Sequence, residues 1–378
     1  MTTMSPSRTP RPAPNALDAF DDQNAIELVH DLVATASVSG AERAAAHLFA
    51  ERAARLGFTT EIDHVGSAIA TRGSTSDDAV EIVMLGHIDT VPGVIPVRIE
   101  GDTLHGRGSV DAKGPLATHL IAAARANLPE NVRIRVVAAV GEETADSTGA
   151  NAVAPRLRPD ACIVAEPSAA DAVTLGYKGR LLVERHVARE AHHSAGPDPS
   201  AADDLLAWWN AVHARLEMLN DGRESPFEIL QHSVLDLSHD SDGVTDRARL
   251  LAGFRLPDWI TPELLEQELH SIDPAADVRV TGRERAHRVE RNDPVVRALT
   301  ASIRASGATP RHKLKTGTAD LNVVAPVWNC PIAAYGPGDS TLDHTPEERL
   351  ELPEYLLAIR VLTGAIERLA QELLARRA

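Results

Sequence analysis

The sequence predicts an α/β fold in which a doubly wound sheet domain is interrupted by an inserted α+β domain. Apolar, strand-like runs alternate with amphipathic helical periods in the first half of the chain and again near its end, a pattern typical of a sheet covered by helices on both faces. Between these parts the composition changes, and the expected strands and helices are those of an α+β segment. The length of 378 residues exceeds the usual size of a single core, so two domains are expected.

The first domain begins after residues 1–17, whose Pro, Ser and Arg content and lack of an apolar stretch predict a disordered tail. Apolar residues spaced three and four apart then predict two amphipathic helices, and an alanine-rich stretch predicts a third. These helices are expected at 24–36, 40–56 and 115–126. Strands are expected at 59–63, 68–71, 82–85, 132–140 and 161–165.

The inserted domain is predicted to span residues 178–291. Its expected strands are at 181–187, 233–237, 249–256 and 277–281, and its helices are at 201–219 and 262–271. The pattern of the first domain then resumes with a helix at 295–306, a short strand at 332–335 and a long helix at 353–376. The sheet domain is therefore predicted to comprise residues 18–177 and 292–378.

Composition argues against several classes of function. A net charge of −16 disfavours general affinity for nucleic acids or anionic membranes. The chain has no run of about 18 apolar residues, so no membrane-spanning helix is expected. Cys162 and Cys330 lie far apart in apolar, strand-like surroundings, and we interpret them as buried free thiols of a protein in the reducing cytoplasm.

Side chains that can bind metal follow three of the buried strands. They are His87, Glu142 with Glu143, and Glu166. Because the carboxyl ends of strands in an open α/β sheet border one crevice, we expect these side chains to converge. Asp89, two residues after His87, would point to the same side of an extended segment and accept the second ring N–H.

Two further side chains complete a set that suits two metal ions: Asp111, in a glycine-rich turn, and His344, in an acidic loop near the C-terminus. Carboxylates and imidazoles together suit two divalent cations about 3.5–4 Å apart, with one carboxylate bridging them. Consecutive side chains of an extended segment point apart, so Glu143 can bind metal while Glu142 faces the attacking water as general base.

In type and order these motifs resemble peptidase family M20, whose members are dinuclear zinc metallopeptidases and amidohydrolases. The resemblance implies two zinc ions, with cobalt or manganese as substitutes. It implies that His87 and Glu166 hold one ion, that Glu143 and His344 hold the other, that Asp111 bridges them, that Asp89 orients His87, and that Glu142 is the general base. It also implies a cis peptide bond between Asp111 and Ala112.

For the substrate side, the resemblance implies that residues 178–291 form a lid and dimerisation domain. His193 would reach the active site of the partner subunit in a homodimer and stabilise the oxyanion. Arg255 would grip a substrate carboxylate, and Thr318 and Asp320 lie in a run similar to a substrate-contacting loop. An alanine precedes Asp320 where the family's commoner run is glycine–threonine–aspartate, which leaves the role of Asp320 open.

Further runs resemble the family's hydrolases that release lysine or ornithine from a small acidic carrier protein, and their relatives that deacetylate N-acetyl-lysine. These runs are 87–93, 95–98, 110–116 and 146–150. The expected function is hydrolysis of an amide bond in amino-acid biosynthesis, on a small acylated basic amino acid or on the carrier. The basic run 311–315 is expected at the rim of the cleft, where it would dock the carrier; a solvated turn is the plain alternative.

Three alternatives remain open at this point. Two have the same fold: a dipeptidase or aminoacylase, and a deacylase of the acetylornithine or succinyl-diaminopimelate type. The third is a silent binding module. The complete metal set together with Glu142 argues against a silent module, which would need no general base.

Overall fold

The computed structural model of the protein describes residues 21–193 and 195–377. The disordered tail predicted for 1–17 lies outside the described residues. Within the described ranges the helices are α1 (Asp22–Ala34), α2 (Arg43–Arg55), α3 (Lys113–Arg125), α4 (Thr148–Val153), α5 (Ala201–Leu219), α6 (Pro262–Ile272), α7 (Pro294–Ala305), α8 (Asp320–Trp328) and α9 (Leu352–Arg377). No described helix is long and apolar enough to cross a bilayer.

The strands of the described residues form three sheets. They are β1 (Thr59–Ile62), β2 (Ala68–Gly73), β3 (Val80–His87), β4 (Arg98–Glu100), β5 (Thr103–His105), β6 (Val132–Ala139), β7 (Ala161–Val164), β8 (Ala172–Tyr177), β9 (Gly179–Glu190), β10 (Gln231–Ser241), β11 (Thr245–Leu256), β12 (Asp277–Glu284), β13 (His287–Arg288), β14 (Arg311–Lys315), β15 (Ile332–Ala334) and β16 (Arg349–Glu351).

The largest sheet has the order β1-β2-β6-β3-β7-β15-β8-β13, with β14 paired to β8. Helices cover both of its faces. In β3, Ile82 and Met84 pack into a core with α1, α2, α3, α7 and α9, whereas Val83 and Leu85 pack into a second core with α4 and α8. This alternation explains why the strand is a continuous apolar run, and it confirms the predicted α/β fold class.

A separate antiparallel sheet has the order β10-β11-β9-β12 and carries α5 and α6. All of these elements lie within the range 178–291. Helix α5 has the bounds predicted for it, and its start is fixed by a capping box in which Ser200 and Asp203 each accept a backbone N–H from the other. We call these elements the lid; the predicted domain boundaries stay a prediction.

Several short elements of the fold were not predicted from the sequence. Strands β4, β5 and β16 form a three-stranded sheet of three residues each, too short to show a period of two. Helix α4 has only six residues, and α8 contains Pro326, which is disfavoured inside a helix. Strand β8 lies just before the expected change of domain and was not predicted.

Candidate metal centre

The core of the site lies at the carboxyl ends of three parallel neighbours, β6, β3 and β7. His87 is the last residue of β3, Glu142 follows β6, and Glu166 follows β7. A Cβ at Gly86 would lie 2.6 Å from the Cβ of Ala165, so only glycine lets β3 and β7 approach this closely. The prediction that these strand ends meet at one edge of the sheet is confirmed.

Asp111 lies between two groups of potential ligands. Its Oδ1 is 3.2 Å from Nε2 of His87, and its Oδ2 is 3.0 Å from Nε2 of His344. Glu166 Oε1 is 3.9 Å from Nε2 of His87, while Glu143 Oε2 is 3.0 Å from Nε2 of His344. The five side chains therefore form two groups that share one carboxylate, and ligand atoms of His87, Asp111 and Glu143 all lie within 4.8 Å of one another.

Asp89 was predicted to contact the imidazole of His87, and its carboxylate makes further hydrogen bonds as well. The ring Nδ1 of His87 is 3.1 Å from the backbone carbonyl of Asp89 and 3.6 Å from its carboxylate. That carboxylate also accepts the backbone N–H groups of Glu142 and Glu143 at 3.1 and 3.0 Å, and the hydroxyl of Ser39 at 2.7 Å. Asp89 thus fixes the segment that carries both glutamates as well as His87.

Glu348 links two loops of the site and was not predicted from the sequence. Its fully buried carboxylate accepts the backbone N–H groups of Val110 and Asp111 at 2.9 and 3.1 Å, and Arg107 Nη1 donates to it at 2.7 Å. Arg107 also donates to the carbonyl of Thr345 at 3.2 Å. Glu348 therefore joins the loop of Asp111 to the loop of His344. The Asp111–Ala112 peptide bond in this loop is cis, as expected.

Burial and crowding perturb the protonation of the site. Burial raises the pKa of Glu142 well above its usual range and raises the pKa of Glu166 to about 8. Burial disfavours the charged form of His87, but hydrogen bonds with Asp111 and Asp89 outweigh this effect and raise its pKa. Hydrogen bonds with Asp111 and Glu143 raise the pKa of His344 to about 10. So many buried carboxylates and imidazoles fit divalent cations, whose charge would favour the ionised carboxylates and neutral imidazoles.

A cavity of about 260 Å³ opens above these groups. Arg255 and Thr318 line it, and Arg255 Nη1 donates to the Thr318 hydroxyl at 2.8 Å. That hydroxyl donates in turn to the carbonyl of Lys178 at 2.9 Å, where the lid joins the large sheet. Arg255 comes from β11 of the lid, so the cavity has walls from both sheets.

Of the residues predicted to contact the substrate or the oxyanion, His193 and Asp320 do not line this cavity. His193 lies on an exposed loop, where its Nδ1 accepts the backbone N–H of Ala195 at 3.1 Å. Asp320 begins α8 and is only 1 % exposed; neither of its carboxylate oxygens has a hydrogen-bond partner among the described residues. Burial raises the pKa of Asp320 to about 8. The structure therefore does not bring Asp320 to the wall that a substrate would contact.

Several residues that line the cavity were not assigned to it from the sequence, among them Tyr177, Lys315 and Asp343. Lys315 belongs to the basic run that was predicted at the rim, and Asp343 immediately precedes His344. The sequence signal for a place in the site was the basic run for Lys315 and the adjacent His344 for Asp343. Nothing in their spacing indicates that β14 and the loop after β15 approach each other.

Comparison with known proteins shows the family. Residues 83–368 match the sequence model of peptidase family M20/M25/M40. The [LysW]-lysine hydrolase of Deinococcus radiodurans is 44 % identical over 360 residues, which cover 92 % of this chain and 98 % of that protein. The putative [LysW]-lysine/[LysW]-ornithine hydrolase of Thermococcus kodakarensis is 38 % identical over 351 residues, with 93 % of each chain covered.

A solved structure has the same fold at low sequence identity. It is the M20 family metallo-carboxypeptidase Sso-CP2 from Sulfolobus solfataricus, which superimposes with a TM-score of 0.76 at 18 % identity. The match covers 92 % of this chain and 99 % of that chain. It therefore includes the lid as well as the large sheet.

Proposed function

The chain belongs to peptidase family M20/M25/M40 and is a metal-dependent amidohydrolase, and we propose that it releases lysine from a LysW-type carrier protein. The observation that carries the proposal is the carboxylate of Asp111, shared between two groups of ligands beside Glu142. The relatives named above, at 44 % and 38 % identity over nearly their whole length, support the carrier-linked substrate. Ornithine is the alternative product.

His87, Asp111 and Glu166 would hold one zinc ion, and Asp111, Glu143 and His344 would hold the other; cobalt or manganese would fit the same donors. When bound, the two ions would acidify a water molecule and polarise the scissile carbonyl. Glu142 takes the proton of the attacking water on its carboxylate and delivers it to the amine nitrogen that leaves. Asp89 holds Glu142 and Glu143 in position by accepting hydrogen bonds from their backbone N–H groups.

Arg255 is the proposed partner of the carboxylate on the lysine that is released. Its guanidinium can bind a carboxylate with two parallel hydrogen bonds, and the Thr318 hydroxyl accepts one of its N–H groups and so limits its rotation. Burial, followed by the neighbouring charge of Arg180, lowers the pKa of Arg255.

We further propose a cytoplasmic homodimer. Strand β10 is an edge of the lid sheet, and Val234, Leu235 and Leu237 on it are 44 %, 55 % and 53 % exposed. An exposed apolar edge strand offers unpaired backbone groups to a second copy of the same strand. The cysteines form no disulfide, and Cys162 is buried, which supports a reducing compartment.

The substrate is tested by lysine release from two compounds, a LysW-lysine conjugate and N-acetyl-lysine, with N-acetyl-ornithine and N-acetyl-arginine for comparison. We expect two zinc equivalents per chain and a kcat/KM for the conjugate about 100-fold or more above that for N-acetyl-lysine, because the carrier adds binding energy away from the scissile bond. Hydrolysis of dipeptides or acyl amino acids in preference to both lysine compounds would contradict the proposal and favour a dipeptidase or aminoacylase.

A basic surface next to the cavity supports docking of an acidic carrier. A cleft of about 390 Å³, which we call the basic cleft, is lined by Arg288, Arg291, His312 and Lys313, together with the acidic residue Glu290. Lys313 lines this cleft, and Lys315, two residues along β14, lines the catalytic cavity. Arg311 forms an ion pair with Asp171, so it contributes less to the field than its position in the run suggested. Arg288, Arg291 and Lys313 form no ion pair within the described chain.

Reversing charge in the basic cleft should slow hydrolysis of the carrier conjugate alone. Lys313→Glu combined with Arg291→Glu is expected to lower kcat/KM for LysW-lysine about 10-fold or more at low salt, with a smaller loss at high salt, because salt screens exposed charges. Hydrolysis of N-acetyl-lysine should not change. Arg360→Glu, an exposed charge reversal on α9, is the matched control. An equal loss with both substrates would contradict docking at this cleft.

A further inference from the structure

One carboxylate in the catalytic cavity has no part in the proposed hydrolysis. The carboxylates that line the cavity are Asp111, Glu142, Glu143, Glu166 and Asp343. The first four are the proposed base and metal ligands. The Nε2 atom of His344 contacts Asp111 and Glu143, and no hydrogen bond or ion pair joins its ring to Asp343 in the described chain. Asp343 is therefore the carboxylate left to contact the substrate.

The acceptor capacity of Asp343 is largely unused within the described residues. Its side chain is 25 % exposed, its Oδ1 is shielded and has no hydrogen-bond partner, and its Oδ2 lies 3.9 Å from Lys315 Nζ. A charge-assisted hydrogen bond would be about 2.8 Å long. A carboxylate accepts about four hydrogen bonds, so it can keep Lys315 nearby and still bind a second cation. Leaving the shielded Oδ1 without a hydrogen bond is unfavourable.

Lys315 does not fill this position itself. Its ammonium lies 5.7 Å from the centroid of the Tyr177 ring, and its side chain is 14 % exposed. At 3.9 Å this ammonium is an ion-pair partner of Asp343, but it forms no direct hydrogen bond with the carboxylate. The cavity therefore offers one carboxylate, that of Asp343, which is neither a proposed metal ligand nor the proposed base.

We propose that Asp343 binds the side-chain ammonium of the amino acid that is released, and thereby selects a basic amino acid over a neutral one. This inference rests on the proposed function. Lysine carries a carboxylate and an ammonium, and the cavity offers Arg255 for the first and Asp343 for the second. A site built around a charged hydrogen bond rejects an analogue that lacks the charge, because the buried partner is then left unpaired.

The test compares N-acetyl-lysine with N-acetyl-norleucine, which has the same four-carbon side chain without the ammonium. The wild type should prefer the lysine compound by about 100-fold in kcat/KM, as expected for one charged hydrogen bond. Asp343→Asn should reduce this ratio to near one, mainly by raising KM for N-acetyl-lysine, with both metal ions retained. Calorimetric titration should show a matching loss of affinity for free lysine.

Asp339→Asn is the matched control, since it removes the same charge four residues earlier in the same loop. Asp339 caps a turn by accepting the N–H of Thr341, a bond that asparagine can also accept. The control should keep the wild-type ratio. If Asp343→Asn keeps the lysine preference, or loses metal, this inference is wrong while the proposed function stands. If the wild type releases lysine from neither the acetyl compound nor the carrier, the proposed function is wrong and the inference falls with it.

Discussion

Replacing Glu142 with alanine should leave both metal ions bound and lower kcat by about 10³- to 10⁴-fold, the contribution of a well-placed general base. Glu142 lines the cavity, and its side chain takes no part in the contacts among His87, Asp111, Glu143, Glu166 and His344. Its removal should therefore abolish proton transfer and spare metal affinity. Turnover of N-acetyl-lysine and metal content by atomic emission measure the two effects separately.

The neighbouring residue supplies the matched control. Glu143→Ala removes the same side chain one position along, yet Glu143 contacts His344 Nε2 at 3.0 Å and is a proposed ligand. This variant should lose metal as well as activity. The backbone N–H groups of Glu142 and Glu143 both donate to the Asp89 carboxylate. Neither side-chain substitution removes these hydrogen bonds, so the segment that carries both residues should keep its position. Full activity in Glu142→Ala, or loss of metal from it, would end its assignment as the base.

The part of the site that sequence predicted best is the part built on strand ends. His87, Glu142 and Glu166 each follow an apolar run, and the rule that such ends share a crevice located them together. The order β6-β3-β7, which places these strands side by side, was not predicted and comes from the structure. Asp111 and His344 have no such strand, and they were placed in the site by their chemistry and by the resemblance.

Contacts between distant loops could not be predicted from periodicity. Glu348 reaches the backbone of Asp111 across 237 residues of sequence, and a buried glutamate looks the same in the sequence as an exposed one. Asp343 meets Lys315 because β14 pairs with β8 at the end of the large sheet, an arrangement that no local pattern encodes. Asp320 was expected to contact the substrate because it lies in a run similar to a substrate-contacting loop. Its side chain is instead buried at the start of α8.

His193 is the predicted site residue whose role depends on a second subunit. It lies on an exposed loop of the lid and does not line the cavity of its own chain. For His193 to donate to the developing oxyanion, one of two things must happen. Either the lid moves far enough to bring His193 to the cavity of its own chain, or a partner bound at the exposed edge of β10 supplies its own copy of this histidine. The homodimer proposed above provides the second route.

His193→Ala should lower turnover about 100-fold or more and keep both metal ions, because a lost oxyanion donor affects the transition state rather than metal binding. His192→Ala is the matched control; its ring lies 3.3 Å from the carbonyls of His193 and Pro199, and it should keep wild-type turnover. Stopped assays on N-acetyl-lysine with metal content measured in parallel give both quantities. Wild-type turnover in His193→Ala would remove this residue from the mechanism.

Mixing two inactive variants tests whether His193 acts across the dimer. In a heterodimer of His193→Ala and Glu142→Ala chains, one site combines an intact Glu142 with an intact His193 from the other chain. Half of the dimers in an equimolar mixture are heterodimers, so recovery of about a quarter of the wild-type activity is expected after subunit exchange. If exchange is verified by mass spectrometry and no activity returns, His193 acts within its own chain or does not act in catalysis.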